Sequence, residues 1–506
     1  MSREVDHRAG RGARDAPARA RSPIAQGALR QHTVEKIGGT SMSRVTELMS
    51  SVLIGDLKGP ALYQRIFVVS AYAGVTDMLL EHKHSGDPGV YALFNEGEDE
   101  SLWERALDNT LEHMCALNDT IFDHEEDRRQ ADDFVRTRVG EVCHALRDLQ
   151  SLCASGHFHL DAHLGTVREI LAALGEVHSA HNTALLMRRH GVNARFVDLS
   201  GWGEAESLPL DDHLRQKVAP YDLDRELPIC TGYAKCVEGL METYDRGYSE
   251  ITFSRLAAVT GAREAIIHKE YHLCSADPKI VGADKAVAIG HTNYDVADQL
   301  SVLGMEAVHP GAAQCLRRAS IPLRVRHSFE PHHAGTLIDA DYQSEHPRVE
   351  IIAGRRGVYA VEFFSHDIVD RAGHAFGIQK ILDRYKLRTV TRESNANSIT
   401  YYLATSLKNV KRIERDLEEA FPNAVVTVRR VGIVAAVGSN LDVSGLLSTC
   451  VSALAEANVN VLALHQSMRA VDIKFVVDES DMKAATIALH ERAVEAGQRR
   501  RSARVA

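Results

Sequence analysis

The sequence predicts an α/β domain on a mainly parallel sheet, covered by helices on both faces and followed by two small ferredoxin-like βαββαβ units. Three observations predict it. Continuous apolar strands such as Ile66–Val69 alternate with helical patterns over the first part of the 506-residue chain, as expected when both faces of a sheet are covered. The early strands run into Gly/Ser/Thr loops that open helices. After Pro347 the character changes, and the order strand, helix, strand appears twice in similar lengths.

In chain order, residues 1–31 are rich in Arg, Ala and Gly, carry Pro17 and Pro23, and lack the apolar stretch of a secretory signal. They read as a disordered basic tail, and Glu4, Asp6 and Asp15 weigh against a transit peptide. The stretch TVEKIGGTSMSRV from Thr33 reads as a short strand, Val34–Ile37, then a glycine loop and a helix. In that helix Met42, Val45, Leu48, Met49, Val52 and Leu53 recur at helical spacing, with Thr40 or Ser41 as its cap. RIFVVSAYAGVTDML repeats the arrangement. Residues 81–163 turn charged and helical, with LWERALDNTLEHM clearly amphipathic, and read as a helical insertion or lid without chemistry of its own. The α/β pattern resumes with the helix VREILAALGEVHSAHNTALLMRRHG and strands at ARFVDL, LPICTGY, EAIIHKEY, AVAIG and IPLRVR. GTLI, Gly335 to Ile338, closes a catalytic region spanning 32–340. The two βαββαβ units are expected at 349–424 and 425–495, with a basic tail at 496–506. Such units bury their open sheets against a partner copy, so pairing in cis or in a dimer is expected.

A net charge of -10, from 59 basic and 69 acidic residues, offers no broad basic surface for nucleic acid or anionic membranes. Eight cysteines without a C-x-x-C pair indicate neither a zinc site nor a disulfide framework and suit a reduced cytoplasm. No apolar run approaches the roughly 18 residues of a membrane span. His332 and His333 precede a glycine turn and read as surface loop. His309, before Pro310, reads as a turn or packing residue, and RRVGIVAAVG reads as a buried strand, not a dinucleotide fingerprint.

Small-molecule chemistry is concentrated in a few places. Lys36 stands two residues before a glycine pair, on the strand side, whereas a Walker loop carries its lysine after the glycines. Together Lys36, Gly38, Gly39, Thr40 and Ser41 supply a cation, bare amides, hydroxyls and a helix start, a set suited to a polyphosphate although such a loop alone is often only a turn. Ser70, Gly74 and Thr76 form a second loop of this kind. Glu176 sits in an apolar helical pattern, where it either faces solvent or holds a substrate ammonium. Arg246, four residues before Glu250, offers a carboxylate clamp beside an acid.

KIGGTS, VVSAYAGVT, GEVHSA, YDRGYSE, SADPKIVG, NYDVADQLSVLGMEAVHP and GTLI follow one another in an order and spacing that resemble the aspartate kinases of the amino-acid kinase family. The C-terminal units resemble that family's pair of ACT domains, and the likeness spans about residues 33 to 495. The resemblance implies phosphorylation of the β-carboxylate of L-aspartate by ATP with Mg2+, its metal ligands unassigned. It implies that Lys36 stabilises the transferring phosphoryl group while Gly38, Gly39, Thr40 and Ser41 line the phosphates. Ser70 and Thr76 would position aspartate, Glu176 would bind its ammonium and Arg246 its α-carboxylate, with Glu250 as the acid beside them. Lys269, Asp277 and Lys279 would contact the nucleotide. A homodimer or higher oligomer through the ACT units is implied as well.

Departures from the family pattern accompany the matches. The usual G-R-G-G-S-D reads Asp245 to Glu250 here, with Tyr248 for a glycine and Glu250 for the aspartate. His268 and Lys269 replace the threonine and aspartate of T-D-V, Cys274 replaces an aromatic residue, Lys279 an arginine and Glu306 a lysine. TYDRGYSE, IIHKEYH and SADPKIVGADK resemble the specialised aspartokinases that supply ectoine synthesis. The alternatives are a feedback-controlled aspartokinase of the lysine, threonine and methionine pathways, a glutamate-directed kinase, and a non-catalytic amino-acid sensor.

Overall fold

The computed structural model describes residues 31–495 except 84, 98–99, 245–246, 306, 367–373, 386 and 388. Eight strands form the first sheet: β1 (Thr33–Ile37), β2 (Arg65–Val69), β3 (Ala194–Val197), β4 (Leu227–Thr231), β5 (Glu264–Lys269), β6 (His291–Asn293), β7 (Leu323–His327) and β8 (Thr336–Asp339). Their order is β3-β4-β2-β1-β5-β7-β8-β6. Every neighbouring pair is parallel except β7 and β8. The central strands β1, β2 and β4 are buried along their whole length, which is why apolar residues dominate β2 and β4, whereas β1 carries Glu35 and Lys36 into the buried layer.

Two local expectations are corrected. The helix after GGTS is broken into Gly39–Met42, Val45–Leu48 and a π-helical turn at Met49–Leu53, with Gly38 as its N-cap and no side-chain cap from Thr40 or Ser41. Its six apolar residues are nevertheless all buried, because the pieces keep the face that packs on the sheet. AVAIG at 286–290 is not a strand; only Ala288 makes an isolated bridge, to Cys274, and β6 begins at His291. The segment is apolar like a strand but serves as a brace along the 273–275 backbone.

Helices Glu100–Ile121 and Glu125–Ala154 pair with each other within 81–163 and put Trp103, Leu107, Met114, Val135 and Val142 into the core. The helix Leu164–Arg189 then crosses under the strand ends and is buried continuously from Leu171 to Met187. Small residues permit that approach: a Cβ on Gly175 would lie 2.8 Å from the Ala71 methyl. Two of its buried polar side chains meet one acceptor, Asn118 Oδ1, which accepts from Asn182 Nδ2 at 2.7 Å and lies 2.7 Å from His178 Nε2.

The C-terminal region forms one antiparallel sheet from β9 (Ile351–Phe364), β10 (Thr389–Ser394), β11 (Ser398–Ala404), β12 (Val425–Val437), β13 (Val461–Gln466) and β14 (Asp472–Val477), in the order β10-β11-β9-β12-β14-β13. The division at 424/425 therefore does not separate two independent sheets. The long strands β9 and β12 pair with each other from end to end and run through both units. One unit uses the second half of β9 and the first half of β12; the other takes the first half of β9 as its fourth strand. One sheet face, with Ile351, Ala353, Ile433 and Ala435, packs on Val296, Leu300 and Leu303 of the catalytic domain. The opposite face carries Ile352, Val434 and Phe475 against the helices Leu446–Glu456 and Met482–Leu489.

Candidate active site

The site lies where the parallel strands β1, β2, β4 and β5 end, the edge at which open α/β sheets bind ligands. Lys36, on β1, is only 9% exposed. Its register partner on β5 is Ile267, so by strand alternation Lys269, two residues on, shares its face. Lys36 Nζ meets Glu250 Oε1 at 3.5 Å, and Glu250 Oε2 accepts the backbone N–H of His309. Burial pushes the Glu250 carboxyl up, but Lys36, Lys269 and the His309 amide outweigh it and hold the group below its ordinary range. Two lysines thus act on one partly buried, ionised carboxylate. Such an arrangement fixes the Lys36 ammonium at the mouth of the glycine loop without forming a tight pair that would have to break.

The loop is shaped for close approach. A Cβ on Gly38 would stand 3.8 Å from Lys36 Nζ, and one on Gly39 would lie 2.6 Å from the Ala71 carbonyl oxygen. The second loop is tied to the first: the Ser70 N–H donates to Ile37 O at 3.1 Å and the Ala73 N–H to Ser43 Oγ at 2.9 Å. The side-chain-free backbone of Gly38 and Gly39 beside a buried cation fits a nucleotide's phosphates. Thr40 is exposed at the loop. The Ser41 hydroxyl points away from it: fully buried, it donates to Glu270 and lies 2.7 Å from Ser328 Oγ. It anchors the loop instead of presenting a hydroxyl to phosphate.

Glu176 is 1% exposed on the Leu164–Arg189 helix. Its Oε1 accepts from Ser249 Oγ at 2.6 Å, whereas its Oε2 has no partner. Burial pushes its carboxyl up to about 8, against the opposing pull of Ser249, the Tyr233 amide and Lys36. Gly232, just beyond β4, makes the room: a Cβ there would sit 2.6 Å from Glu176 Oε1. A buried carboxylate with one idle oxygen is costly unless a cation completes it, and a ligand ammonium would do so.

Ser70 is half-buried at the end of β2, with its carbonyl accepting from Ser179 Oγ at 2.8 Å, and Thr76 lies on the short helix Val75–Leu79. Arg246 and Glu306 lie outside the described residues. Asp277 caps the short helix Pro278–Val281 by accepting the Lys279 N–H at 2.9 Å. No hydrogen bond or ion pair among the described residues links Asp277 or Lys279 to Lys36, Glu250 or Glu176. His268 points to the opposite face of the sheet, where its Nε2 meets Glu35 at 2.7 Å and Arg65 completes a buried cluster. His333 is not bare surface: its ring lies 4.1 Å from that of His272, which reaches Glu330 at 3.0 Å. His309 is more than a turn residue. Its side chain caps the helix Pro310–Ala319, its amide holds Glu250, and its ring leaves no room for a Cβ at Gly247. Sequence reading missed this role, together with those of Ser249, Gly232 and Ser328.

Residues 31–327 match the sequence model of the amino acid kinase family, and 434–492 match that of an ACT domain. Aspartate kinase Ask_Ect of Stutzerimonas stutzeri (strain A1501) is 53% identical over 464 residues, covering 92% of this chain and 98% of its own length. The aspartokinase of Saccharomyces cerevisiae is 25% identical over 362 residues, 64% of this chain and 68% of its own. Among solved structures, Escherichia coli aspartokinase III in complex with lysine and aspartate superposes with a TM-score of 0.68 at 18% identity, over 92% of this chain and 99% of that one, and shares the fold. A phosphate-shaped glycine loop with a strand-borne lysine, on this sheet, is the design of a small-molecule kinase, and the chain belongs to the amino acid kinase family. Within that family it is an aspartate kinase with a C-terminal ACT region.

Proposed function

We propose that the chain transfers the γ-phosphoryl group of ATP to the β-carboxylate of L-aspartate, giving 4-phospho-L-aspartate, and that it supplies ectoine synthesis. The observation that carries the substrate assignment is Glu176, a buried carboxylate with an idle oxygen within electrostatic reach of Lys36. An amino acid held there by its ammonium would direct its side chain toward the glycine loop. The attacking carboxylate is already ionised at neutral pH, so no general base is needed. Catalysis reduces to holding the nucleophile in line and neutralising charge on the transferring group. Lys36 does the second, kept in place by Glu250, with Lys269 adding positive charge behind it. Mg2+ would arrive with the nucleotide and would supply further positive charge to the phosphates. The ectoine assignment rests on the segments around Arg246, His268 and Lys279 and on the relative at 53% identity.

The direct test is ADP release dependent on L-aspartate. The same assay with L-glutamate as the acceptor is expected to give little turnover. Arg246 is proposed to clamp the α-carboxylate with its planar fork, which lysine cannot reproduce. Arg246→Lys should therefore raise the KM for aspartate about tenfold or more with little change for ATP. A variant with unchanged aspartate KM and lost ATP affinity would reverse the assignment.

The ACT region is proposed to be architectural toward the general-pathway amino acids and to hold a cytoplasmic homodimer. Millimolar lysine or threonine, singly or together, should leave activity nearly unchanged, and deleting residues 349–506 should dissolve the dimer. Inhibition by either amino acid beyond half of the activity would favour the feedback-controlled alternative. No helix among the described residues is long and apolar enough to cross a membrane.

A further inference from the structure

The hairpin formed by the helices Glu100–Ile121 and Glu125–Ala154 reaches the candidate active site through a chain of buried polar groups. The chain starts at Asn118, which is fully buried. Its Nδ2 donates to Asp132 Oδ1 across the hairpin at 2.8 Å, and its Oδ1 meets Asn182 Nδ2 and His178 Nε2 of the helix Leu164–Arg189, each at 2.7 Å. An amide oxygen only accepts, so the His178 proton sits on Nε2. The ring is neutral, because burial, with His181 and His113 nearby, pushes its pKa down to about 3.

The chain ends at Tyr72, inside the loop that carries Ser70 and Thr76. Tyr72 is 1% exposed, its ring meets His178 edge-on at 5.3 Å, and Asn182 is the polar group beside its hydroxyl. Between Ser70 and Val75 the loop otherwise consists of Ala71, Ala73 and Gly74, so Tyr72 is the one large side chain that can seat it. The loop backbone shapes the site on both sides: the Ala71 carbonyl lies against Gly39, and the Ala71 methyl lies against Gly175, next to Glu176. Ser179, one turn from Gly175 on that helix, donates to Ser70 O at 2.8 Å. The helix Leu164–Arg189 thus offers Glu176 and Ser179 to the site and His178 and Asn182 to the hairpin.

We propose that Asn118 is a positioning residue for the acceptor loop: it orients His178 and Asn182, these seat Tyr72, and Tyr72 holds residues 70–76 where Ser70 and Thr76 meet L-aspartate. The inference rests on the reading of this loop as the aspartate side of the site, and it gives the hairpin a part in the kinase chemistry. A buried network whose members satisfy one another selects a single arrangement. Without Asn118, two buried donors lose their acceptor, the ring and the amide turn toward other partners, and the seat of Tyr72 changes. The glycine loop is held separately by Ser41 on Glu270 and Ser328, so the loss falls on aspartate and spares the nucleotide.

Hydrogen exchange and steady-state kinetics on the full-length protein test this. Asn118→Leu, which keeps the volume and removes both hydrogen-bonding roles, should speed amide exchange at residues 70–76 in the absence of substrates and raise the KM for aspartate about tenfold or more, with the KM for ATP little changed. Asn118→Asp sets a second carboxylate against Asp132 and should do the same. Adding Asp132→Asn restores the donor across the hairpin and should return both readouts to the wild-type values. Where Asn118→Leu does not fold, the single and double exchanges at 118 and 132 decide. Unchanged exchange at 70–76 in the single variants, a parallel rise in both KM values, or no recovery in the double variant would overturn the proposal. The exchange readout needs no acceptor, so a wild-type protein that fails to use aspartate would contradict the acceptor assignment while leaving the coupling of Asn118 to the loop measurable.

Discussion

Lys36→Ala should fold normally and lose at least about a hundredfold in turnover, the scale of removing one charge-stabilising donor from a transition state, about 3 to 4 kcal/mol. The loss belongs in kcat if, as proposed, Lys36 meets charge that develops during transfer. The fold should survive because Glu250 keeps the His309 amide and the nearby positive charge of Lys269, and because the strand around Lys36 is held by β2 and β5 along its whole length. Steady-state kinetics beside thermal denaturation separate the two. Near-normal turnover in a folded variant would remove Lys36 from the chemistry.

Glu176→Gln should lower kcat/KM for aspartate by a similar factor while leaving ATP binding close to normal. The amide keeps the volume and the acceptor for Ser249 but loses the negative charge that a substrate ammonium requires. The same substitution has a signature in stability. Burial raises the Glu176 carboxyl to about 8, so between the ordinary carboxylate range and that value the folded protein holds a proton that the unfolded chain has released. Stability from this group is present at low pH and falls as pH rises through that window. The glutamine variant lacks this slope, so without aspartate it should gain on the wild type between about pH 5 and pH 8. Aspartate binding to the wild type below about pH 8 should release a proton, read as a dependence of binding heat on the buffer's ionisation enthalpy. Identical pH profiles for the two proteins would show that the Glu176 charge is not stored in this way.

What the sequence made legible was whatever repeats locally. Strand, loop and helix at residues 33–53 follow from apolar periodicity, and the lysine before the glycines marks the candidate phosphate loop because both sit within a few residues. The break in the following helix was hidden, since its three pieces keep one buried face and hence one period. The contact of Glu250 with the His309 amide joins residues far apart in the chain through a backbone donor, which no side-chain pattern records. The partners of the Ser41 hydroxyl were hidden for a related reason: a hydroxyl in a glycine loop carries no sign of which way it points, and Glu270 and Ser328 arrive from the ends of β5 and β7. The sharing of β9 and β12 between the two C-terminal units was equally hidden. A sequence unit is counted from its own first strand, whereas the second unit takes its fourth strand from upstream.

The most direct measurement is hydroxylamine trapping of the product formed by the wild-type protein with ATP, Mg2+ and each candidate acceptor in turn. L-aspartate should yield the β-hydroxamate in amounts matching ADP released, with L-glutamate giving little and Lys36→Ala almost none. ADP release without hydroxamate, or equal trapping with glutamate, would contradict transfer to the β-carboxylate of aspartate at this site.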